Sequence, residues 1–355
     1  MRAERNWRVG LIGFGVGGAA FHAPVIAATP GLVIAAIVTS NASRREQAVR
    51  MYPAARVFAN AAEMFASATD LDIAVIASPN RTHIPLAVDA LAAGLHVVVD
   101  KPFAASIADA VRAIDAARER KKLLTVYQNR RWDGDFLTLR QLVAAGRLGR
   151  VLRFESRFSR WRPVPETGWR LLEAPEDAGG LLFDIGTHLI DQALMLFGPV
   201  THVYAELDRR RPGVNVDDDS FVALTHASGV RSHLWMSALE AQPGPRFRVL
   251  GDQGAYVKFG MDVQEERLRN GSNPSAPDWG DEQPDRWGCL GTDRESQPVR
   301  TERGDYTEFY RLLVAALDSG GAPPVDPKDA VVTLEIVEAA HRSHARGQVM
   351  CMPSV

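Results

Sequence analysis

Three side chains in this sequence have the types needed to move a proton and steady a developing charge. Asp184 and His188 stand four apart in Gly179-Gly-Leu-Leu-Phe-Asp-Ile-Gly-Thr-His-Leu-Ile-Asp-Gln192. Leu181, Leu182, Ile185, Leu189 and Ile190 recur at helical spacing, which predicts an amphipathic helix entered through glycines. The four-residue separation puts the carboxylate and the imidazole on one face, with Asp191 near the same stripe. An imidazole beside a carboxylate is a proton acceptor that works near neutral pH. A surface ion pair, or a histidine satisfied inside the fold, would read the same way. The third side chain is Lys101. Gly94–Val99 reads as a strand running into Asp100-Lys101-Pro102-Phe103. An ammonium at the tip of a buried parallel strand is costly unless it has a partner or a task, and Pro102 stiffens the turn that aims it. Lys101 is a candidate for orienting and polarising a substrate oxygen; a salt bridge to Asp100 or to a neighbouring loop is the structural alternative.

These groups need a scaffold, and the N-terminal third predicts one. A short apolar strand from Arg8 leads into Gly13-Phe14-Gly15-Val16-Gly17-Gly18, followed by a helix from about Gly17 and a second apolar run, Leu32–Val38. Small residues let the chain turn sharply and let a pyrophosphate approach the backbone, while the helix aims its free N–H groups at the phosphates. The second strand ends Val38-Thr39-Ser40-Asn41, then Ser43-Arg44-Arg45, with no acid to bind ribose hydroxyls. The hydroxyl of Ser40 and the guanidinium of Arg44 or Arg45 suit a 2′-phosphate, which favours NADP over NAD. Both arginines would also be at home in the solvated first turn of a helix. Ile73–Ala77 is a buried strand ending in Ser78-Pro79-Asn80-Arg81-Thr82-His83, where a doubly wound sheet binds its ligand. Ser78, Pro79, Asn80 and His83, with Asp100, are candidates for the nicotinamide end, although Asn80 also suits a helix cap. A helix over Asp109–Lys121 and a strand over Leu123–Tyr127 close this domain, placing a boundary at 127/128.

The rest, 128–355, predicts a sheet-rich domain for substrate and for association. Arg130, Arg131 and Trp132 either line a cleft or cap a helix over Phe136–Ala145. Val151–Trp161 alternates as a strand with Arg153, Glu155, Arg157 and Ser159 on one face. Arg157, Trp161 and Trp169 are candidate sugar-binding residues: aromatic faces suit ring C–H groups and arginine donates to hydroxyls. Sheet packing is the alternative for each. Strands over His202–Leu207, Ser220–His226, Val230–Ala238, Phe247–Gly251 and Ala255–Phe259 follow, with hairpin punctuation between them. Asp217-Asp218-Asp219 reads as a solvated turn, since three successive carboxylates cannot all face one ion. Met261–Gly304 reads as a long polar loop able to fold over a cleft or a neighbour, ahead of helices over Tyr306–Asp318 and Lys328–Ala345.

At 355 residues, 46% hydrophobic and 24% charged, the chain has the composition of a soluble two-domain protein. A net charge of −2 gives no footprint for nucleic acid or an anionic membrane. Two cysteines, Cys289 and Cys351, form neither a metal pattern nor a disulfide framework, so a cytoplasmic setting is expected. Val9–Ile12 is too short for a signal segment or a span.

In order along the chain, Gly13-x-Gly15-x-x-Gly18, Asp100-Lys101-Pro102 and Gly179-Gly-x4-Asp184-x3-His188-x2-Asp191 resemble the motifs of the glucose–fructose oxidoreductase/inositol dehydrogenase/rhizopine-catabolism family. The resemblance covers essentially the whole chain. It implies an α/β protein: an N-terminal Rossmann domain, then an α/β domain with a large, mostly antiparallel sheet. It implies an NAD(P)-dependent dehydrogenase of sugars or cyclitols, homodimeric or homotetrameric through that sheet. Matched by motif, Lys101 is the catalytic lysine, His188 the proton-transferring histidine and Asp184 the aspartate of the same triad; Gly13, Gly15 and Gly18 form the pyrophosphate loop. Asp100 stands where the family usually has glutamate. Tyr127–Phe136, Phe154–Pro163 and Gly180–His188 further resemble the NADP-dependent scyllo-inositol dehydrogenase branch, with Thr187 where proline often occurs. On this reading no metal is required, because Lys101 supplies the positive charge. A sugar- or NADP-sensing regulator without turnover, and bond cleavage by oxidation and elimination, are the rival readings on the same scaffold.

Overall fold

The computed structural model describes residues 6–67, 69–165, 171 and 173–353. The short, nearly unbroken apolar runs of the N-terminal third can be buried on both faces, and they form a parallel sheet. Its strands are β1 (Trp7–Ile12), β2 (Leu32–Val38), β3 (Arg56–Phe58), β4 (Ile73–Ile76), β5 (His96–Asp100) and β6 (Leu124–Tyr127), in the order β3-β2-β1-β4-β5-β6. Helices cross between them, among them His83–Ala92 and Ile107–Arg120, the latter capped by Ser106 accepting the Asp109 N–H at 3.1 Å. The order reverses between β1 and β4, which opens a crevice at the carboxyl ends of those strands. This is the expected Rossmann fold.

The chain divides into two units. Met1–Asn129, Gln264–Trp279 and Asp305–Val331 form the first; Arg130–Val263, Gly280–Gly304 and Val332–Val355 form the second. The late helix Thr307–Ser319 is thus part of the nucleotide-fold unit. It is tied there by Tyr310 Oη against His22 Nδ1 at 2.6 Å and by Trp7 Nε1 donating to Asp318 Oδ1 at 2.9 Å.

The second unit is built on nine strands: β7 (Val151–Ser159), β8 (Val200–Asp208), β9 (Asp219–His226), β10 (Arg231–Ser237), β11 (Phe247–Gly251), β12 (Ala255–Lys258), β13 (Gly288–Gly291), β14 (Ser296–Val299) and β15 (Met350–Cys351). Their order is β14-β13-β12-β11-β7-β10-β9-β8-β15, antiparallel throughout except for β7 beside β10. Alternation sorts the two faces. Phe154, Phe158, Val222, Leu224, Leu234 and Met236 point to one side and pack with Leu182, Leu189 and Ile190 in a single core. On the other side Arg157 stands beside Trp235, and Trp235 beside Phe221. The stretch Pro175–Phe197 is long and apolar enough to cross a membrane, but 67% of its apolar window is buried inside the protein, as in a core helix.

Two expectations are corrected here. Met261–Gly304 is not a loop throughout. Gln264–Arg269 is a helix, and β13 and β14 form a hairpin that extends the sheet edge. Four-residue strands carrying Gly288, Gly291 and Pro298 show too little alternation to be read from sequence. Nor is Asp217-Asp218-Asp219 a solvated turn. Asp217 and Asp218 are buried, and Asp218 accepts the backbone N–H groups of Arg210 and Arg211 at 2.7 and 3.1 Å and Arg211 Nε at 2.8 Å. Enough donors converge on these carboxylates to replace water.

Candidate active site

In the first unit the glycine loop is shaped by close approach. Gly13 has φ +98°, and a Cβ there would lie 2.6 Å from the carbonyl oxygen of Ala77. A Cβ at Gly18 would lie 1.9 Å from the Gly13 oxygen. Gly15 is open, with only the Arg44 guanidinium nearby, its Nη1 3.6 Å from a built Cβ. The helix that follows starts as a wide π-turn over Gly17–His22 and becomes α-helical at Ala23–Ala27; Val16 at its N-cap offers no side-chain acceptor. The first N–H groups therefore keep their capacity for a phosphate. These features fit a dinucleotide. Phe14 contributes only backbone, because its side chain is buried edge-on to Tyr52. Val16 is exposed beside the loop.

Beyond β2, Asn41 accepts the Arg44 N–H at 3.0 Å and caps the helix Ala42–Met51. That helix has no acid in its first turn and two arginines there, an arrangement that opposes the helix dipole and suits an anion. Ser40 is exposed at this corner. Arg44 leans over Gly15, while Arg45 donates to the Val57 carbonyl at 2.8 Å.

On the other side of the crevice, Ser78 follows β4 next to Gly13, and its hydroxyl pairs with Thr82 Oγ1 at 2.6 Å. Asn80 does not cap the helix His83–Ala92; it begins a 3-10 turn and is buried, with Pro79 before it. His83 is buried, with Nδ1 2.9 Å from the Pro102 oxygen and Nε2 2.9 Å from the Ser78 oxygen. Burial pushes its pKa down, against the pull of Asp100 and of the two carbonyls. His83 thus joins the Ser78 turn to the turn that carries Lys101. The peptide between Lys101 and Pro102 is cis. Asp100 Oδ1 accepts the Lys101 N–H at 2.8 Å, and Oδ2 lies 3.1 Å from a Cβ built on Gly17. Burial pushes the Asp100 carboxyl up, but His22, Lys101 and His83 outweigh it and hold it below the usual carboxylate range. His22, whose Nε2 is 3.7 Å from Asp100 Oδ2, had no signal in the sequence beyond its place in the first helix.

In the second unit the helix bearing Asp184 and His188 departs from plain α geometry. Leu182–Gly186 is a π-turn that passes into the α-helix Thr187–Phe197. The Thr187 hydroxyl donates to the Phe183 carbonyl at 2.9 Å, so the residue that replaces proline serves the wide turn. Gly186 is needed for packing: a Cβ there would lie 3.0 Å from Met236 Sδ. Asp184 is half-buried and His188 is 4% exposed. Asp191 is a partner for Arg131, which reaches it with Nε at 2.8 Å and Nη2 at 2.5 Å. Arg130 pairs with Asp133 at 3.2 Å. Both arginines are buried. Arg157 lies on the sheet face opposite the His188 helix, its guanidinium 3.9 Å from the Trp235 ring and its Nη1 3.4 Å from Glu155. Trp161 is 57% exposed just past β7 and bridges Leu239. Trp169 lies outside the described residues.

A Rossmann unit with a glycine cradle, followed by a second unit on a mostly antiparallel sheet, has the architecture expected of a nicotinamide-dependent oxidoreductase. Comparison with known proteins agrees. The profile described as oxidoreductase family, NAD-binding Rossmann fold matches residues 7–128, and the GFO/IDH/MocA C-terminal domain matches residues 136–257. The chain is 39% identical to the uncharacterized oxidoreductase YdgJ of Escherichia coli, covering 98% of this chain and 99% of that one. It is 31% identical to IolW of Bacillus subtilis, a scyllo-inositol 2-dehydrogenase (NADP(+)), over 95% of this chain and 93% of the other. The solved structure of yvaA from Bacillus subtilis superposes with a TM-score of 0.93 at 29% identity, covering 99% of this chain and 100% of that one. The chain belongs to the GFO/IDH/MocA oxidoreductase family and is an NAD(P)-dependent dehydrogenase.

Proposed function

We propose that this dehydrogenase oxidises, reversibly, a secondary alcohol on a cyclitol or sugar ring with NADP, scyllo-inositol being the first substrate to try. The nucleotide-fold unit, with residues 1–127 as its main part, binds the dinucleotide, and the nine-stranded unit within 128–355 the polyol. The observation that carries the reading is the position of Lys101: it follows β5 directly after Asp100, whose Oδ2 lies 3.1 Å from where a Cβ on Gly17 of the glycine loop would stand. A cation held there can receive the oxygen of an alcohol that lies against the nicotinamide.

Gly13, Gly15 and Gly18 admit the diphosphate to the backbone, and Arg44 with Ser40 holds the 2′-phosphate. An imidazole nitrogen of His188 takes the hydroxyl proton, and Asp184 orients that ring and steadies its charged form. Lys101 Nζ donates to the same oxygen and favours its developing negative charge. The bound nicotinamide supplies the hydride acceptor. IolW is named for NADP and scyllo-inositol, which supports both choices. The protein acts in the cytoplasm as a homodimer or homotetramer, associating through the open sheet face that carries Arg157, Trp235 and Phe221.

The test is direct. Purified protein is mixed with NADP, or NAD, and a panel of inositols and aldoses, and the absorbance of reduced nicotinamide is followed. Turnover of a cyclitol or sugar, faster with NADP, supports the reading. Cofactor binding without turnover on any ring alcohol contradicts it.

A further inference from the structure

The strongest unused chemistry lies in the second unit, at the start of the helix that carries Asp184 and His188. We infer that Asp217 is the positioning residue for that helix, holding the π-turn in which Asp184 sits. This rests on the dehydrogenase reading of Asp184 and His188.

The geometry is specific. The Asp217 backbone carbonyl accepts the Leu181 N–H at 3.0 Å, and its Oδ2 accepts the Leu182 N–H at 2.7 Å. Ser220 Oγ donates to the same Oδ2 at 2.7 Å and fixes its rotamer. The other oxygen faces Gly180, which has φ +93° and whose Cβ, if present, would lie 1.9 Å from Oδ1. Gly180 in turn accepts the Asp184 N–H at 3.0 Å. One residue 35 positions away in sequence therefore takes the leading N–H donors of the catalytic helix with two different atoms. These are the groups that a helix leaves without an internal partner. A carboxylate is the strongest acceptor for them and complements the positive end of the helix. The cost is a buried charge, and burial does push the Asp217 carboxyl above its ordinary range, against the donors from Ser220 and Leu182. An apolar residue in its place would leave the Leu182 N–H and the Ser220 hydroxyl without this acceptor.

The role of Asp217 is angular. A π-turn is held open only while its ends are fixed, and the direction of the Asp184 carboxylate follows from how Gly180–Leu182 is anchored. Misplacing a catalytic group by about 1 Å costs about a hundredfold in rate.

The experiment compares Asp217→Ala, Asp217→Asn and Ser220→Ala with the wild type. Amide hydrogen exchange is read over the Gly179–Gly186 segment, and turnover is read with NADP and scyllo-inositol, or whichever ring alcohol the wild type oxidises fastest. For Asp217→Ala, exchange at Leu181 and Leu182 should speed up about tenfold or more, while β7 and β10 keep their protection. Turnover (kcat) should fall about 10- to 100-fold with KM nearly unchanged. Asp217→Asn, whose amide oxygen can still accept from Leu182, should recover most of both. Ser220→Ala, which removes a single hydroxyl and is least able to disturb folding, should move both readouts the same way by a few-fold. Unchanged exchange in Asp217→Ala and Ser220→Ala, or loss confined to KM, would overturn the inference. If the wild type turns over no polyol, the dehydrogenase reading fails by itself, and the exchange measurement still decides whether Asp217 holds the turn.

Discussion

Arg131 closes a two-bond fork on Asp191, with Nε and Nη2 2.8 and 2.5 Å from the carboxylate oxygens. Both residues are buried. The last aspartate of the Gly-Gly…Asp184…His188…Asp191 pattern is thus held by a partner from its own unit. Removing one partner strands a buried charge, which costs about 3–5 kcal/mol. Arg131→Met should therefore lower the unfolding free energy by about that much in denaturant melts. A loss well under about 1 kcal/mol would mean the pair is solvated in solution.

Arg44 leans over Gly15 at the start of a helix with no acid in its first turn. Charge-assisted hydrogen bonds of this kind are worth about 1.5–3 kcal/mol, or about 10- to 100-fold in affinity. Arg44→Ala should weaken NADPH by that factor and leave NADH nearly unaffected. Fluorescence titration of both cofactors checks this, and equal losses would remove Arg44 from the 2′-phosphate site.

Gly13 combines φ +98° with a backbone oxygen 2.6 Å from where a Cβ would stand. Gly13→Ala should cost about 1–3 kcal/mol of stability, and it should reduce affinity for NADP and NAD alike, since the diphosphate is common to both. Calorimetric melts with and without cofactor measure the two effects.

Burial pushes the pKa values of His83, His226 and His341 below the ordinary 6.5. In the folded protein they stay neutral at pH values where the unfolded chain binds protons. Their contribution to stability is full above about pH 6.5 and is lost as pH falls toward their lowered folded values. Unfolding free energy should therefore decline as pH falls below about 6.5. His226, held between Gly198 O and Ser232 Oγ at 2.8 and 2.7 Å, is far in sequence from Lys101, Asp184 and His188. In a His226→Asn variant the decline should be shallower. An unchanged slope would show that His226 titrates alike in both states.

The Rossmann order and the glycine cradle were legible because they depend on local signals: apolar runs of four to seven residues and glycines at fixed spacing. The antiparallel hairpins at Ala227–Gly229 and Gly251–Gly254 were legible for the same reason. What escaped depends on distant partners. A π-turn leaves the spacing of Leu182, Ile185 and Leu189 nearly that of an α-helix, so Leu182–Gly186 reads as one. Asp217 looks like a surface acid until Leu182 and Ser220 are seen to face it. His83 sits in a ligand-side turn, yet its ring is buried between the Ser78 and Pro102 carbonyls. Alternation puts Arg157 on the strand face that the structure shows, but the His188 helix packs on the other one.

The proposed reaction gives Lys101 and His188 separate roles in one step, charge stabilisation and proton transfer respectively. A double-mutant cycle on turnover, with Lys101→Ala, His188→Asn and the pair, tests it most directly, cofactor affinity being followed in parallel. Each single variant should lose about a thousandfold or more in kcat, with NADPH affinity little changed, and the double variant should be hardly worse than either single, because the two groups serve one step. Losses that simply multiply, or a single variant that keeps wild-type turnover, would contradict it.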